Sequence, residues 1–289
     1  MKGIRGGDNG EELLMQLSEH ARRMRIHVIR MTTHAGSGHV TSAFSAADIV
    51  AALYFAEMRY DPKKNDDPDR DRFILSKGHA APILYAALHE AGVFDEATMM
   101  SLRQPGSLLQ GHPWCRTPGV DATSGSLGIG LSQAVGRAIG ACMRGSPSRI
   151  YAMIGDGECD EGETWEAALA AAHFRTDNLC VFLDRNNAQV DGPTDTVMNL
   201  EPLADKWRAF GWRVEEINGH DFSEILDYLE RSRERRDRPS IAIARTKKGR
   251  GVSFVEQGNR YRHASVLDPE AAKEAIAELE KGRRSREAR

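Results

Sequence analysis

The spacing of hydrophobic and polar residues along the chain predicts helices that alternate with short apolar strands. In residues 11–33 the apolar side chains recur at helical spacing, whereas later runs are short, apolar and rich in strand-forming residues. A further strand-like run lies at 73–75. The predicted helices span 11–33, 45–58, 82–91, 127–143, 163–174, 201–210, 222–236 and 269–281, and the predicted strands span 149–154, 179–184, 212–217 and 240–245.

This alternation predicts the fold class. Repeated strand–helix units with short connections are typical of an α/β fold, a mostly parallel sheet with helices on both faces. A chain of 289 residues can bury a large core, and we expect a single domain over 1–289. The basic residues 282–289 are expected to form a frayed tail, and the charged run 230–238 a solvated surface.

Composition narrows the possible partners and compartments. The net charge of −3 gives no general attraction to nucleic acid or to anionic membranes. The four cysteines show no CxxC spacing, so neither a zinc site nor a disulfide framework is predicted. Asp48 and Glu57 interrupt the most apolar stretch, and the first residues lack the apolar core of a signal peptide. We therefore expect a cytoplasmic protein that contacts neither membrane nor nucleic acid.

A Gly-Asp-Gly tripeptide ends one predicted strand, and an asparagine follows the next strand along the chain. Ligands of parallel α/β sheets bind at the carboxyl ends of the strands, so we expect Asp156 and Asn186 to lie at one site. Mg²⁺ prefers oxygen ligands and takes few from the protein, and this pair indicates Mg²⁺ on a diphosphate. Gly155, Gly157 and Gly162 would let a diphosphate approach the backbone, with unusual φ at little cost. By itself, however, the tripeptide is more often a turn than a metal site.

The tripeptide, followed at this distance by asparagine, resembles the cofactor signature of thiamine-diphosphate enzymes of the transketolase group. The resemblance covers nearly the whole chain, with further blocks in the order of the family. They are AGSGHVTSAFSAADI (35–49), DRFILSKGHAAPILYAAL (71–88), GHP (111–113), GVDATSGSLGIGLSQAVGRAIG (119–140) and IAIARTKKGRGVSF (241–254). This resemblance implies a thiamine-diphosphate-binding fold of the diphosphate-binding type. The implied cofactors are thiamine diphosphate and Mg²⁺, with Ca²⁺ or Mn²⁺ as substitutes.

Four histidines lie in predicted loops, and each alone is most simply a hydrogen-bonded loop residue. The resemblance implies instead that all four are catalytic and line the substrate channel. His39 and His263 would contact the donor sugar, with His79 and His112 near the thiazolium ring. Imidazoles can donate hydrogen bonds to a developing oxyanion and can move protons near neutral pH.

The resemblance also assigns contacts to the cofactor. Gly125, Ser126 and Leu127 would place backbone beside the aminopyrimidine, and Ala188 would offer its carbonyl as a third metal ligand. Glu161 corresponds to a glutamate in a carboxylate network across the dimer interface, but it could equally be an acid favoured at a helix N-terminus. The implied cofactor-binding residues are His79, Gly125, Ser126, Leu127, Gly155, Asp156, Gly157, Glu161 and Asn186, and the implied metal ligands are Asp156, Asn186 and Ala188.

A partner chain is also implied. Single-chain transketolases continue, after a domain like this one, with a pyrimidine-binding domain and a third domain, and no counterpart follows the RTKKGRG block here. The chain therefore resembles the N-terminal subunit of a split transketolase that is inactive alone. We expect a C-terminal transketolase subunit with those two domains as its partner, most simply in an α2β2 assembly acting on sugar substrates.

Departures from the family pattern leave alternatives open. Thr41 stands near the channel where the family usually has glycine, so the identity of the donor sugar is open, and Asn187 also replaces a common glycine. Ketol transfer is the first hypothesis. A second is another thiamine-diphosphate reaction, such as a deoxyxylulose-phosphate-synthase-like condensation or an E1-type decarboxylation. The third is a non-catalytic binding subunit that has kept the fold.

Overall fold

The computed structural model describes residues 8–234, 237–257 and 265–287. Its centre is one parallel sheet of five strands, in the order β1-β2-β3-β5-β4. The strands are β1 (Arg72–Leu75), β2 (Ile150–Gly155), β3 (Leu179–Arg185), β4 (Arg213–Asn218) and β5 (Ser240–Arg245). The predicted parallel α/β fold is confirmed, and the strand-like run at 73–75 forms an edge strand.

The helices surround this sheet. They are α1 (Asp8–Ala35), α2 (Val40–Ala52), α3 (Ala81–Glu90), α4 (Glu96–Met100), α5 (Ile129–Met143), α6 (Gly162–His173), α7 (Thr194–Val197), α8 (Leu203–Ala209), α9 (Phe222–Ser232), α10 (Ser253–Gln257) and α11 (Pro269–Glu287). Helices α4, α7 and α10 were not predicted, because each is too short to show a helical period. Helix α11 continues past its predicted end at 281. The single domain and the frayed tail at 282–289 stay predictions.

Helix α2 differs most from its predicted bounds. It begins at Val40 instead of 45, and its last turn, Leu53–Glu57, is a π-helix. Thr41 and Ser42 looked like loop residues, yet both are buried in the first turn of α2. The predicted start was therefore wrong, because tertiary burial outweighs the turn preference of these hydroxyl residues.

The core lies on both faces of the sheet, because successive side chains of a strand point to opposite faces. Tyr151 and Met153 of β2 pack on one face with residues of α1, α2, α3, α9 and α11. Ala152 and Ile154 pack on the other face with residues of α5, α6 and α8. Helices therefore cover both faces, as predicted, and the strand ends are left to form a site.

The stretch Val40–Glu57 is long and apolar enough to cross a membrane, although 89% of it is buried inside the structure. The prediction that two charges keep this run below spanning length was wrong. Asp48 Oδ2 lies 2.7 Å from Arg25 Nη2, and Tyr151 OH donates to Glu57 Oε1 at 2.7 Å. A buried core helix passes the same length and composition test, so the stretch is weak evidence for a membrane span.

Candidate active site

A cleft of about 200 Å³ opens where the carboxyl ends of β1, β2, β3 and β5 meet. Because all the strands are parallel, the residues that follow them come together at this one edge. The wall of the cleft contains eight of the predicted cofactor and metal residues: His79, Leu127, Gly155, Asp156, Gly157, Glu161, Asn186 and Ala188.

Asp156 is the acidic centre of this cleft. Its Oδ1 accepts a hydrogen bond from the Gly157 N–H at 2.9 Å, and its Oδ2 accepts one from the Asn187 N–H at 2.7 Å. Burial, followed by the nearby charge of Asp184, raises the pKa of the Asp156 carboxyl to about 6. An oriented, buried carboxylate of this kind is stabilised by a bound cation.

The loop after β3 is shaped to present neutral oxygens to the same cleft. Asn187 has a φ of 61°, in the left-handed region that asparagine tolerates better than most residues, and this accounts for Asn at a position where glycine is common. The Ala188 N–H donates to Asn186 Oδ1 at 3.2 Å, which fixes the side-chain amide.

The donor set at this cleft suits Mg²⁺. Within the described residues, no group of three or more His, Cys, Asp and Glu side chains could hold a metal. A metal bound here would therefore take oxygens from one carboxylate, from amide or carbonyl groups, and from the diphosphate itself, as Mg²⁺ does. The residues fit the implied ion, and the assignment of Asp156, Asn186 and Ala188 as its ligands stays a prediction.

The glycines of this segment act differently from the prediction. Gly155, Gly157 and Gly162 do not occur among the residues with positive φ, so the expected need for unusual φ was wrong. A Cβ at Gly155 would approach no protein atom closer than 3.8 Å, and one at Gly157 none closer than 3.4 Å. Protein packing therefore permits a side chain at both positions. The absent side chains instead keep the cleft wall open to a ligand.

The predicted histidines lie beside this cleft. The ring centroids of His39 and His79 are 5.3 Å apart. The ring of His112 packs against Gly125, where an added Cβ would lie 3.5 Å from its Cγ. Gly125 and its neighbour Ser126 are thus near the histidines but do not form the cleft wall. His263 lies outside the described residues, and its role stays a prediction.

Arg103 is a functional candidate that the sequence did not reveal. Its Nη1 donates to Ser37 Oγ at 2.7 Å, and its guanidinium lies so close to Gly111 that an added Cβ would be 2.5 Å from Nη2. Arg103 thus bridges the two loops that carry His39 and His112. An arginine in a polar loop has no periodic signal that could have identified it.

The same arginine contributes to the electrostatics of the histidines. Burial, then the positive charge of Arg103, lowers the pKa of His39 to about 4. Burial and Arg103 also lower the pKa of His112. Because a neutral imidazole has one N–H donor and one acceptor nitrogen, His39 near neutral pH can both give and accept a hydrogen bond.

Two lysines in the cleft wall were also missed. Lys77 is 1% exposed, pairs with Asp184 and donates from Nζ to the Ser42 carbonyl at 3.1 Å. Burial and the charge of Lys77 lower the pKa of half-buried Lys248 to about 8. Two ammonium groups in one cleft suit a polyanionic ligand. A lysine directly after the apolar run of β1 was the signal that could have identified Lys77.

Glu158 joins the elements around the cleft. Its carboxylate accepts hydrogen bonds from Ser76 Oγ at 2.6 Å, the Gly155 N–H at 2.7 Å and the Gly128 N–H at 2.9 Å. These donors stand at the ends of β1 and β2 and before the start of α5. Glu158, although buried, is thus fully engaged in fixing the frame of the cleft.

Glu161 is compatible with both of its interpretations. It is exposed at the N-cap of α6 and also lines the cleft. Within the described residues its side chain accepts no capping hydrogen bond. Its position near the helix N-terminus is favourable for an acid, and the carboxylate network across an interface stays a prediction.

The family is decided by comparison with known proteins. A protein family described as "Transketolase, thiamine diphosphate binding domain" matches residues 17–281. The chain belongs to the transketolase family. It is 44% identical over 271 residues to the 6-deoxy-6-sulfo-D-fructose transketolase subunit SqwG of Clostridium sp. (strain MSTE9), covering 93% of this chain and 98% of that protein. It is 37% identical over 265 residues to an apulose-4-phosphate transketolase subunit of Phocaeicola vulgatus, covering 92% and 93%.

Solved transketolases share the fold. The transketolase of Campylobacter jejuni superposes with a TM-score of 0.86 at 31% identity, covering 92% of this chain and 43% of that one. The transketolase from Leishmania mexicana gives a TM-score of 0.86 at 30% identity, covering 91% and 41%. The chain thus spans less than half of these transketolases. The predicted thiamine-diphosphate-binding fold is confirmed.

Proposed function

We propose that this chain is the N-terminal subunit of a two-subunit transketolase that transfers a two-carbon ketol unit from a ketose to an aldose. The observation that carries the proposal is the cleft at the strand ends, where Asp156 and Asn186 lie with two lysines and His79. Two relatives named as transketolase subunits support the split, since the match covers 98% and 93% of their lengths.

The cleft residues have complementary roles in holding the cofactor. Asp156, Asn186 and the carbonyl of Ala188 would hold Mg²⁺, or Ca²⁺ or Mn²⁺ in its place. Lys77 and Lys248 would balance the negative charge of the diphosphate. Bound thiamine diphosphate supplies the electron sink for cleavage of the carbon–carbon bond.

The histidines would manage protons around that cleavage. His39, neutral near pH 7 because its pKa is about 4, can donate a hydrogen bond to the donor carbonyl oxygen. His79, whose ring lies 5.3 Å from that of His39, can contact the same sugar. His112 and His263 complete the proposed set.

A hydroxyl group also points to a bound ligand. Ser42 lies in the cleft wall, and its buried Oγ has no hydrogen-bond partner among the described residues. A buried hydroxyl without a partner costs free energy, and a ligand oxygen would remove that cost. Two relatives carry the names of a sulfonated ketose and a ketose phosphate. We propose a ketose phosphate or a related acidic sugar as the donor here.

Exposed apolar side chains support a partner chain. Leu169 and Phe174, on and just after α6, are 61% and 57% exposed, and Val190 and Met198, after β3, are 67% and 58% exposed. Exposed apolar groups of this size are typical of interaction surfaces. The proposed partner is a C-terminal subunit with a pyrimidine-binding domain and a third domain, in a cytoplasmic α2β2 assembly.

One experiment separates ketol transfer from the other hypotheses. The chain and its C-terminal partner are mixed with thiamine diphosphate and Mg²⁺, then supplied either with ketose and aldose phosphates or with pyruvate. Transfer of a two-carbon unit supports the proposal. Consumption of pyruvate alone would favour a synthase-like or E1-type reaction, and cofactor binding without any turnover would favour a non-catalytic subunit.

A further inference from the structure

A second cavity, of about 220 Å³, lies at the edge of the sheet opposite the cleft. Arg72 and Ile150, the first residues of β1 and β2, lie in its wall. Strand β2 runs from this cavity to Gly155 in the cleft wall, a distance of about 17 Å at the usual rise per residue. The cavity is therefore separate from the proposed cofactor site. We call it the arginine cavity; its wall consists of Pro68, Arg72, Arg137, Gly140, Ala141, Arg144, Ser148 and Ile150.

The wall of the arginine cavity carries three guanidinium groups and no carboxylate. Arg137 and Arg144 have no carboxylate within ion-pair distance in the described part of the chain. Arg72 contacts Asp121 Oδ1 at 3.1 Å, but Asp121 is also paired with Arg70 at 2.6 Å. One carboxylate outside the wall is thus shared by two arginines, so the cavity has a surplus of positive charge.

Backbone carbonyl groups hold the three guanidinium groups in place. Arg72 Nη2 donates to the Asp67 carbonyl at 2.8 Å, and Arg144 Nη2 donates to the Pro68 carbonyl at 3.2 Å. Arg137 Nη2 donates to the carbonyl of Asp121. A guanidinium has five N–H groups, so a single carbonyl contact orients it and leaves donors for another acceptor. These contacts pre-orient the arginines without neutralising their charge.

We propose that the arginine cavity binds a small tetrahedral oxyanion: inorganic phosphate or sulfate, or the phosphate or sulfonate group of a sugar. Guanidinium groups match such anions because two N–H groups can face two oxygens. The volume is below that of usual organic-ligand sites, about 300–1,000 Å³, so the cavity accepts the anionic group and not a whole sugar. Gly140 and Ala141 leave room beside the arginines, since an added Cβ at Gly140 would meet no atom within 4 Å.

The test follows the arginine Nε–Hε signals of the full-length chain by NMR at constant ionic strength. The signals of Arg137 and Arg144 are assigned by their loss in Arg137→Gln and Arg144→Gln. Inorganic phosphate is then titrated in place of chloride. The binding site predicts saturable shifts of both signals, and at least a ten-fold weaker apparent affinity at the remaining signal in each single variant, the size expected when a charge-assisted contact is lost.

Two controls make the outcome specific. The variant Arg116→Gln, an exposed arginine outside the cavity wall, removes the same charge and should leave the titration unchanged. The variant Lys248→Gln disturbs the cleft and should also leave these two signals unaffected. Ribose 5-phosphate should bind with an affinity within a few-fold of phosphate, since only the anionic group enters. Equal shifts with chloride, no saturation, or loss of the effect in Lys248→Gln would overturn the proposal.

Discussion

Arg103 and Ser37 are joined by a hydrogen bond of 2.7 Å that connects the loop before His112 to the turn before His39. Arg103 is also a non-glycine residue with a φ of 58°, and its N–H donates to the Leu109 carbonyl at 2.8 Å. A left-handed backbone costs about 1 kcal/mol or more for such a residue, so the surrounding contacts must hold it. The two loops with proposed catalytic histidines are thus positioned by one arginine.

Removing this arginine should raise the pKa of both histidines. Burial and the positive charge of Arg103 lower the pKa of His39 from 6.5 to about 4, so the neutral form prevails above that pH. In Arg103→Gln the charge is gone, and His39 and His112 should titrate at higher pH. NMR titration of the imidazole C–H signals of the isolated chain measures this without any need for turnover.

The conservative variant separates charge from geometry. Arg103→Lys keeps the positive charge but cannot face both loops, so the pKa of His39 should stay closer to the native value than in Arg103→Gln. Arg208→Gln, a surface change on α8, serves as the control for net charge. An unchanged His39 titration in Arg103→Gln would show that burial alone sets the pKa.

The histidines should act on the reaction more than on cofactor binding. In the reconstituted enzyme, His79→Ala and His39→Ala are each expected to lower kcat/KM by roughly 100-fold or more, the scale of a lost acid–base or oxyanion contact. The affinity for thiamine diphosphate should stay within a few-fold. His34→Ala, an exposed histidine at the end of α1, is the matched control. Normal turnover by both variants would make His39 and His79 ordinary loop residues.

The buried ion pair of Lys77 and Asp184 should dominate the local stability of the cleft. The two side chains are 1% and 0% exposed, and Ser45 Oγ also donates to Asp184 Oδ2 at 2.6 Å. Lys77→Met leaves a buried carboxylate without its cation and should lower the free energy of unfolding by about 3–5 kcal/mol. The double variant Lys77→Met/Asp184→Asn should recover much of that loss. Urea unfolding decides this, and a single-variant change within about 0.5 kcal/mol would contradict it.

Much of the fold could be predicted from the sequence because its signals are local. The apolar runs of β2 and β3 and the periodic pattern of α1 are set by burial, which leaves a visible period. The start of α2 was wrong because the burial of Thr41 and Ser42 depends on distant segments. For the same reason, short helices such as α4 gave no signal.

The candidate site was predictable where residues follow strands in a known order. Asp156 and Asn186 could be placed together because parallel strands end at one edge. Arg103 could not be found, since its role depends on contacts with Ser37 and Gly111 from separate loops. Lys248 was likewise missed, because its burial near Lys77 is a tertiary property.

Assembly should be required for activity. The cleft of this chain holds the proposed diphosphate contacts, and a ligand that is only partly buried binds weakly. Light scattering should show self-association of the chain alone, and a defined hetero-oligomer after the C-terminal subunit is added. Ketol transfer should occur only in the mixture. Full activity of this polypeptide alone would refute the two-subunit proposal.

The most direct test of the account is calorimetric titration of thiamine diphosphate with Mg²⁺ into the reconstituted complex. Asp156→Ala removes the only carboxylate proposed to touch the metal, and the affinity should fall by about 100-fold or more, while Asp156→Asn should lose much of it. Asp191→Ala, an exposed carboxylate in the same cleft wall, should bind as the native complex does. Unchanged affinity in Asp156→Ala would contradict the assignment of this cleft as the cofactor site.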